Sequence, residues 1–471
     1  MSIDMGEMKP CVIIDIPEEL EPDLKETCRI QRVPRKLRQV NEAAYTPKLI
    51  SIGPFHHGKP TLNVMEDHKT KYYHKFWERD FCKHIREKDI IRDFTGEVTN
   101  RRQRIRNIYA GTFDHVKDMK HFLEVILRDS CFIFELFLRN FENRLHDKKP
   151  EDITDYILRT PWLIKCIELD LIMLENQLPY FVFTELFDFI LENQPENLNN
   201  IPSYLSKNQS ESERHHFIMK MTCEFFREYY KMHGKASKSE GFIADSLEPG
   251  VIQRFKDIKH FTDLVRQFMH SNHDGASSEN ANCRYSSIEP NCRYSAIELD
   301  RAGVAFVPCS NKFLTDISFN KKGNMLEVRP FKVTDITGCL IRNVMALEQC
   351  LYPFEAHICN YIHLLDQLIN TDEDVKLLVE KKVVDNWLGS NDAVAHLINT
   401  LGDEIVFSSH YYRDIRIQLN KVHGNFWNVT KATLKRVYFK DIWTGSSTIV
   451  AAVVVTFSIF SVASNIKDLF F

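Results

Sequence analysis

The feature that most constrains this chain is an uncharged run near its C-terminal end. From Ile442 to Ile466 there is no Asp, Glu, Lys or Arg, and the centre reads Thr448-Ile-Val-Ala-Ala-Val-Val-Val-Thr-Phe-Ser-Ile-Phe460. As an α-helix rising about 1.5 Å per residue, the run would reach roughly 37 Å, enough to cross a hydrocarbon core with some tilt. Only Lys467-Asp-Leu-Phe-Phe471 follows, so a crossing there leaves everything before it on one side of a membrane. The competing fate is a buried strand pair or a core helix. Thr444, Ser446, Ser447, Thr448, Thr456, Ser458, Ser461 and Ser464 make the run less apolar than a Leu-rich span. Length favours the membrane, because uncharged runs beyond about 18 residues are uncommon in soluble cores.

The flanks give an orientation. Residues 431 to 440 carry Lys431, Lys435, Arg436 and Lys440 and no acid, whereas Lys467 is offset by Asp468 and the terminal carboxylate. The positive-inside rule then places the N-terminal part in the cytoplasm, as a single-pass, tail-anchored membrane protein in contact with the bilayer through 442–466. Thr448, Ala452 and Thr456 recur every four residues and would give such a helix a small-residue face for homo-association.

Composition narrows the rest. With 471 residues the chain can bury one large core or two, and a net charge of −4 gives no electrostatic case for nucleic acid. Its 33 Phe suggest a helical, aromatic-rich core. The 12 Cys contain no C-x-x-C pair, which fits reduced thiols better than a zinc site or a disulfide framework. Residues 1–26 are acidic and lack a signal-peptide pattern, so a solvated, mobile start is expected, followed by a helical domain over 27–440.

Pro34, Pro47, Pro54, Gly53 and Gly58 make the early region, through Ile50-Ser-Ile-Gly-Pro-Phe-His-His-Gly58, an ordered loop or short strand. Asn63 and Glu66 have capping-box spacing ahead of a long helix through Tyr72, Phe76 and Ile85. A helical block follows Phe94. The almost wholly apolar octapeptide Cys131–Leu138 belongs to the core, and Trp162–Glu175 and Pro179–Glu192 read as consecutive helices. Residues 194–214 read as a surface loop, and helices are expected over 212–232 and 251–270. A flexible linker is expected over 270–300, which contains a duplication: Asn282-Cys-Arg-Tyr-Ser-Ser-Ile-Glu289, then Asn291-Cys-Arg-Tyr-Ser-Ala-Ile-Glu298. Short alternating segments at 304–307, 313–319 and 325–328, with a turn at Asn320–Gly323, form a small β excursion. Helices are expected again over 335–351, 354–370, 372–387, 390–401 and 411–438. The fold class is therefore mainly α, with a β excursion near 303–330.

Chemistry is sparse. The common phosphate-loop, nucleophile-elbow and zincin motifs are absent. The nearest catalytic-looking set is His56, His57, Glu66 and His68, yet Glu66 and His68 point about 200° apart on a helix. Structural or binding roles outweigh an acid–base or metal site for these side chains, and no cofactor is expected. Arg101-Arg-Gln-Arg-Ile-Arg106 reads as a solvated basic helix face, with contact to anionic headgroups or an acidic partner as the secondary reading.

Arg32-Val-Pro34, Tyr45-x-Pro47, Ile50–Gly58, Met65-Glu-x-His-Lys69, Asp170-Leu-Ile-Met-Leu-Glu-Asn-Gln-Leu-Pro179 and Ser295-Ala-Ile-Glu-Leu-x-x-Ala-Gly-Val304 together resemble the plant family called domain of unknown function 247. The resemblance runs from about residue 13 to the C-terminal span. It implies a plant protein ending in a transmembrane helix, with no established catalytic residues. Some grass members are linked to self-incompatibility, which implies a recognition or signalling role. It also draws attention to Lys69, Glu175, Asn176 and Gln177 beside His56, His57, Glu66 and His68 as motif residues that could bind. The expectation is a membrane-anchored, non-enzymatic protein that binds a protein partner. The alternative is an enzyme with an unrecognised site around His56, His57, Glu66 and His68.

Overall fold

Capping chemistry opens several of the helices. The computed structural model describes residues 28–85, 101–195, 201–233, 242, 257–270, 291–310, 313–407, 411–425, 430 and 449–461. Its N-terminal part holds α1 (Arg35–Val40), α2 (Glu66–Glu78), α3 (Arg101–Asn107), α4 (Met119–Leu145), α5 (Pro161–Leu171), α6 (Tyr180–Glu192), α7 (Glu211–Phe225), α8 (Arg227–His233) and α9 (Phe261–Met269). There follow α10 (Ala296–Arg301), β1 (Ala305–Pro308), β2 (Ser318–Asn320), β3 (Met325–Val328), β4 (Phe331–Val333), α11 (Thr337–Leu351), α12 (His357–Leu368), α13 (Asp372–Glu380), β5 (Val384–Asn386), α14 (Asn391–Leu401) and α15 (Arg413–His423).

The Asp118 carboxylate accepts the His121 N–H to open α4. Ser210 with Glu213, Ser295 with Glu298 and Thr371 with Asp374 form capping boxes that open α7, α10 and α13. Pro161 occupies the first position of α5, where its missing N–H costs nothing.

The core is built around α4, which packs against α2, α6 and α7. Cys131–Leu138 is buried on every face, as its composition demands. Phenylalanines join the layers: Phe137 stacks on Phe225 at 4.3 Å and meets Phe261 at 5.5 Å, and Phe141 meets Phe217 edge-on at 5.4 Å. Offset and edge-on pairs add about 0.5–1.5 kcal/mol beyond the area they bury. One apolar cluster runs from Ile30 to Val422, so the β excursion and the helices share a core.

That excursion is a three-stranded sheet, β3 pairing in parallel with β1 and antiparallel with β2. The expected hairpin turn closes with Asn324 at φ 49°, a left-handed conformation that Asn tolerates. A second sheet, β4 with β5 in parallel, was not expected. Residues 372–387 read as one helix, but α13 stops at Glu380 and Lys382 turns at φ 60° to send Val384–Asn386 alongside β4. Helical periodicity there loses to the burial of Val383 and Val384 against the main core.

Other boundaries also move. The expected cap at Asn63 is instead inside a 3₁₀ turn, Pro60–Met65, and Glu66 is drawn off to ion pairs rather than to a backbone N–H. The helix expected through Ile85 ends at Glu78. The basic run is not a free solvated face: Arg101 and Arg104 pair with Glu185, and Arg106 donates to the carbonyls of Tyr109 and Gly111. In the expected linker, residues 291–301 are ordered, and α10 is part of them.

At the C-terminal end, residues 449–461 are helical and exposed throughout. Among the described residues no helix is long and apolar enough to cross a membrane. The remainder of the 442–466 run, including Thr448, lies outside the described residues, as do Lys435, Arg436, Lys440 and the acidic residues 1–26.

Candidate functional site

The loop that carries the family-like motifs cannot satisfy its own backbone. Pro47, Pro54, Gly53 and Gly58 keep residues 48–58 out of helix and sheet, yet Ile50, Ser51, Ile52, Gly53 and His56 are buried. Buried N–H and C=O groups need partners, and here side chains supply them. The Asp170 carboxylate accepts the N–H groups of Lys48 at 3.0 Å, Leu49 at 2.7 Å and Ile50 at 2.9 Å. Asn176 accepts from Ile52 N at 2.7 Å and donates to Ile50 O at 3.0 Å, so one amide satisfies both a donor and an acceptor of the loop. Asp129 accepts from Gly53 N at 2.9 Å, and Lys69 donates to Ser51 O at 2.8 Å.

Lys69 and Asp129 are both 0% exposed and pair at 2.6 Å. Glu66 joins Lys69 at 2.7 Å and Arg128 at 3.0 Å, so the helices α2 and α4 are tied across the loop by charge. Burial pushes the Asp129 carboxyl up, while Lys69 and Arg128 pull it down. Burial pushes the Asp170 carboxyl up as well, offset by its three backbone donors.

Residues 172–177, after α5, form the other jaw. Gln177 donates to the carbonyls of Leu171 and Met173 and accepts from Phe261 N at 2.9 Å, fastening the turn to α9. Glu175 accepts from Val33 N at 2.7 Å, pairs with Arg38 at 2.6 Å and lies 3.4 Å from His56. Burial alone would raise the Glu175 carboxyl; His56, Arg38 and the Val33 N–H outweigh it and hold it at about 2. Burial holds His56 below the usual imidazole range, and Lys59 Nζ lies 2.8 Å from its Nδ1. A neutral His56 therefore accepts from Lys59 and presents Nε2–H to Glu175. Gly53 is required: its φ is +70°, and a Cβ would sit 2.6 Å from the Gln177 carbonyl oxygen.

The structure does not bring the four catalytic-looking residues together. His56 faces Glu175 and Lys59. His57 lies beside His121, ring centroids 5.3 Å apart, and burial depresses it to about 4. Glu66 is committed to Lys69 and Arg128, and His68 stacks on the exposed Tyr156. Among the described residues no group of His, Cys, Asp or Glu is placed to hold a metal ion. By contrast Lys69, Glu175, Asn176 and Gln177 all belong to one network. Asp129, Asp170 and Asn343 complete it and were missed. The signal for Asp129 was an acid two residues ahead of the almost wholly apolar segment Cys131–Leu138, and Asn343 couples Leu174 N to the Ala44 carbonyl.

A separate cleft of about 1120 Å³ opens between α4, α6 and α7. Its lining includes Phe141, Tyr204 and Phe217, with Gln209, Ser212 and Lys220 toward the rim. Tyr204 stacks on Phe217 at 4.9 Å, which gives the cleft an aromatic floor. Arg214 and His215 both face Asp188, and Arg104 lies 3.8 Å over the Phe181 ring, so much of the rim's charge is neutralised locally. Part of the rim comes from the 194–214 segment.

Comparison with known proteins agrees with the motifs. The chain is 26% identical to the Arabidopsis thaliana UPF0481 protein At3g47200 over 90% of its own length and 83% of that protein. It is 23% identical to the Arabidopsis thaliana putative UPF0481 protein At3g02645, covering 92% of this chain and 90% of that one. No solved structure matches it. A family model described as plant protein of unknown function, the domain of unknown function 247, matches residues 30–457. The motif loop, the clamp that holds it and nearly all of the helical body fall within that match, and the chain belongs to this plant family.

Proposed function

We propose that this protein is a membrane-anchored, non-enzymatic recognition protein whose helical domain binds a protein partner. The observation that carries the anchor is the helix at 449–461. Ile449, Val450, Val453, Val454, Val455, Phe457, Ile459 and Phe460 are all exposed, Phe457 at 72%, on a helix with no charged residue. Apolar side chains all around a helix favour a lipid environment over water. The uncharged sequence continues on both sides of it, and the basic residues Lys435, Arg436 and Lys440 upstream support a cytoplasmic domain.

Recognition is preferred to catalysis because the side chains that could do chemistry around the motif loop are dispersed: His56 faces Glu175 and Lys59, His57 lies beside His121, Glu66 pairs with Lys69 and Arg128, and His68 stacks on Tyr156. The aromatic-floored cleft supports a partner that inserts an apolar anchor residue, with specificity from the rim residues of the 194–214 segment. A place in cell–cell recognition such as grass self-incompatibility fits this reading. Self-association through Thr448, Ala452 and Thr456 is a further element. Thr456 already returns its hydroxyl to the Ala452 carbonyl, which keeps that face compact.

Fractionation of a tagged chain with and without residues 442–471 tests the anchor. Release of the truncated form into the soluble fraction is expected, and persistence on membranes would contradict it. Proximity labelling in plant tissue, with Ser212→Arg as the rim control, tests the partner. Loss of the same labelled proteins in the variant supports recognition through the cleft, and an unchanged set refutes it. Ala452→Leu should weaken self-association in membranes.

A further inference from the structure

The segment that leads into α10 borders a small polar cavity whose walls are fastened by amide side chains. Gln367, on α12, accepts from Cys292 N at 3.1 Å and donates to the Asn291 side chain at 3.3 Å. Asn420, on α15, accepts from Arg293 N at 3.0 Å and donates to Asn291 O at 2.8 Å. The Tyr294 ring stacks on His423 with centroids 3.5 Å apart, and Asn399, on α14, donates to the Asn370 carbonyl at 3.4 Å. The cavity measures about 460 Å³, a size suited to a small molecule, and apart from Cys292 its lining residues are polar or charged.

Two of the lining residues carry opposite charges, and neither charge has a partner. The exposed guanidinium of Arg293 and the half-buried carboxylate of Asp366 make no hydrogen bond or ion pair among the described residues, with each other or with any third group. Burial first, and the neighbouring Asp403 second, push the Asp366 carboxyl up. An exposed charge is content in water, but a half-buried carboxylate that meets another acid and no cation is costly to keep ionised. A ligand that brings an ammonium to Asp366 and a carboxylate to Arg293 satisfies both, the second through paired N–H···O bonds. The amides of Asn370 and Asn399 add donors and acceptors, whereas an apolar side chain would find little to pack on.

We propose that this cavity binds a free amino acid with a polar, amide-bearing side chain, with Asp366 holding its ammonium, Arg293 its carboxylate, and Asn370 and Asn399 its amide. Gln367 and Asn420 are positioning residues: they fix the backbone that carries Arg293, which lowers the ordering cost of binding. The site depends on neither the C-terminal anchor nor the aromatic cleft.

Isothermal titration calorimetry of the full chain with glutamine tests this. Binding with a Kd below about 1 mM is expected, and no binding at about 10 mM would overturn the proposal. N-acetylglutamine lacks the ammonium and glutaminamide the carboxylate, so they also stand for the last and first residues of a peptide. Each should bind at least about tenfold more weakly than glutamine, and equal binding of either would overturn the assignment to a free amino acid. Asp366→Asn and Arg293→Gln remove no contact among the described residues and should leave the thermal midpoint in place. Each should weaken glutamine binding at least about tenfold, and unchanged affinity in either would overturn the proposal. Should a variant fail to fold, the comparison of the three ligands on the unchanged chain decides.

Discussion

The loop clamp and the C-terminal helix put opposite residues to opposite uses. Around residues 48–58 the charged and amide side chains lie inside, where Lys69, Asp129, Asp170 and Asn176 satisfy a backbone that has no ladder of its own. At 449–461 the apolar side chains lie outside, and nothing among the described residues covers them. The first region uses its chemistry to hold the fold; the second leaves an apolar surface uncovered among the described residues.

The largest effect should come from the clamp. Asp170→Ala strips three N–H groups of their acceptor at once, that of Ile50 in the interior and those of Lys48 and Leu49 half-buried, and should cost about 4 kcal/mol in denaturant unfolding. A loss below about 1 kcal/mol would mean that water replaces the carboxylate, and that the loop is less sealed than its geometry indicates. Removal of residues 442–471, by comparison, should leave the unfolding transition of the domain in place.

How far these regions were legible in the sequence follows from the same physics. The octapeptide Cys131–Leu138 announced its burial because all but one of its residues are apolar; Glu135, the exception, is buried by pairing with Arg79 and Arg139. The uncharged run at 442–466 stood out by its length, but among the described residues no helix is long and apolar enough to cross a membrane. The β excursion was visible from alternation and the Asn320–Gly323 turn, but β5 was not, since three residues carry no periodicity and its partner β4 is some fifty residues away in the chain. The clamp was half legible. Lys69, Glu175, Asn176 and Gln177 stood out as motif residues, but which backbone groups they serve depends on contacts across more than a hundred residues, such as Ile52 with Asn176. Glu66 was read as a cap because its spacing allowed it; the buried Lys69 made a stronger claim.

A second prediction concerns pH. His260 is fully buried, and burial lowers it from 6.5 to about 4. The unfolded chain takes up this proton below 6.5 while the folded protein does not until about 4. Its contribution is thus complete above pH 6.5 and is lost as pH falls toward 4, an amount of about 3 kcal/mol. His260→Gln should make the slope of unfolding free energy between these values shallower by about 1.4 kcal/mol per pH unit. An unchanged slope would place the titration elsewhere. Glu175, held at about 2, adds a separate loss only as pH falls from 4.5 through 2.

Smaller again is Gly53→Ala, which meets both a left-handed backbone and the Gln177 carbonyl, and should cost about 2 kcal/mol in thermal or denaturant unfolding. At the bottom of the scale, Lys75→Ala removes an exposed pair with Glu78 on the same helix that carries Lys69, and should be indistinguishable from the unchanged protein. Equal effects at Lys75 and Lys69 would erase the contrast between exposed and clamped charge.

The most direct test of the clamp is a double-mutant cycle on Lys69→Met and Asp129→Leu by denaturant unfolding. Each single change should cost about 3–5 kcal/mol, because it strands the other charge in the interior, and the double variant should be more stable than either single one. Single changes that cost less than about 1 kcal/mol, or that simply add in the double variant, would show that the pair does not hold the loop and would contradict the account.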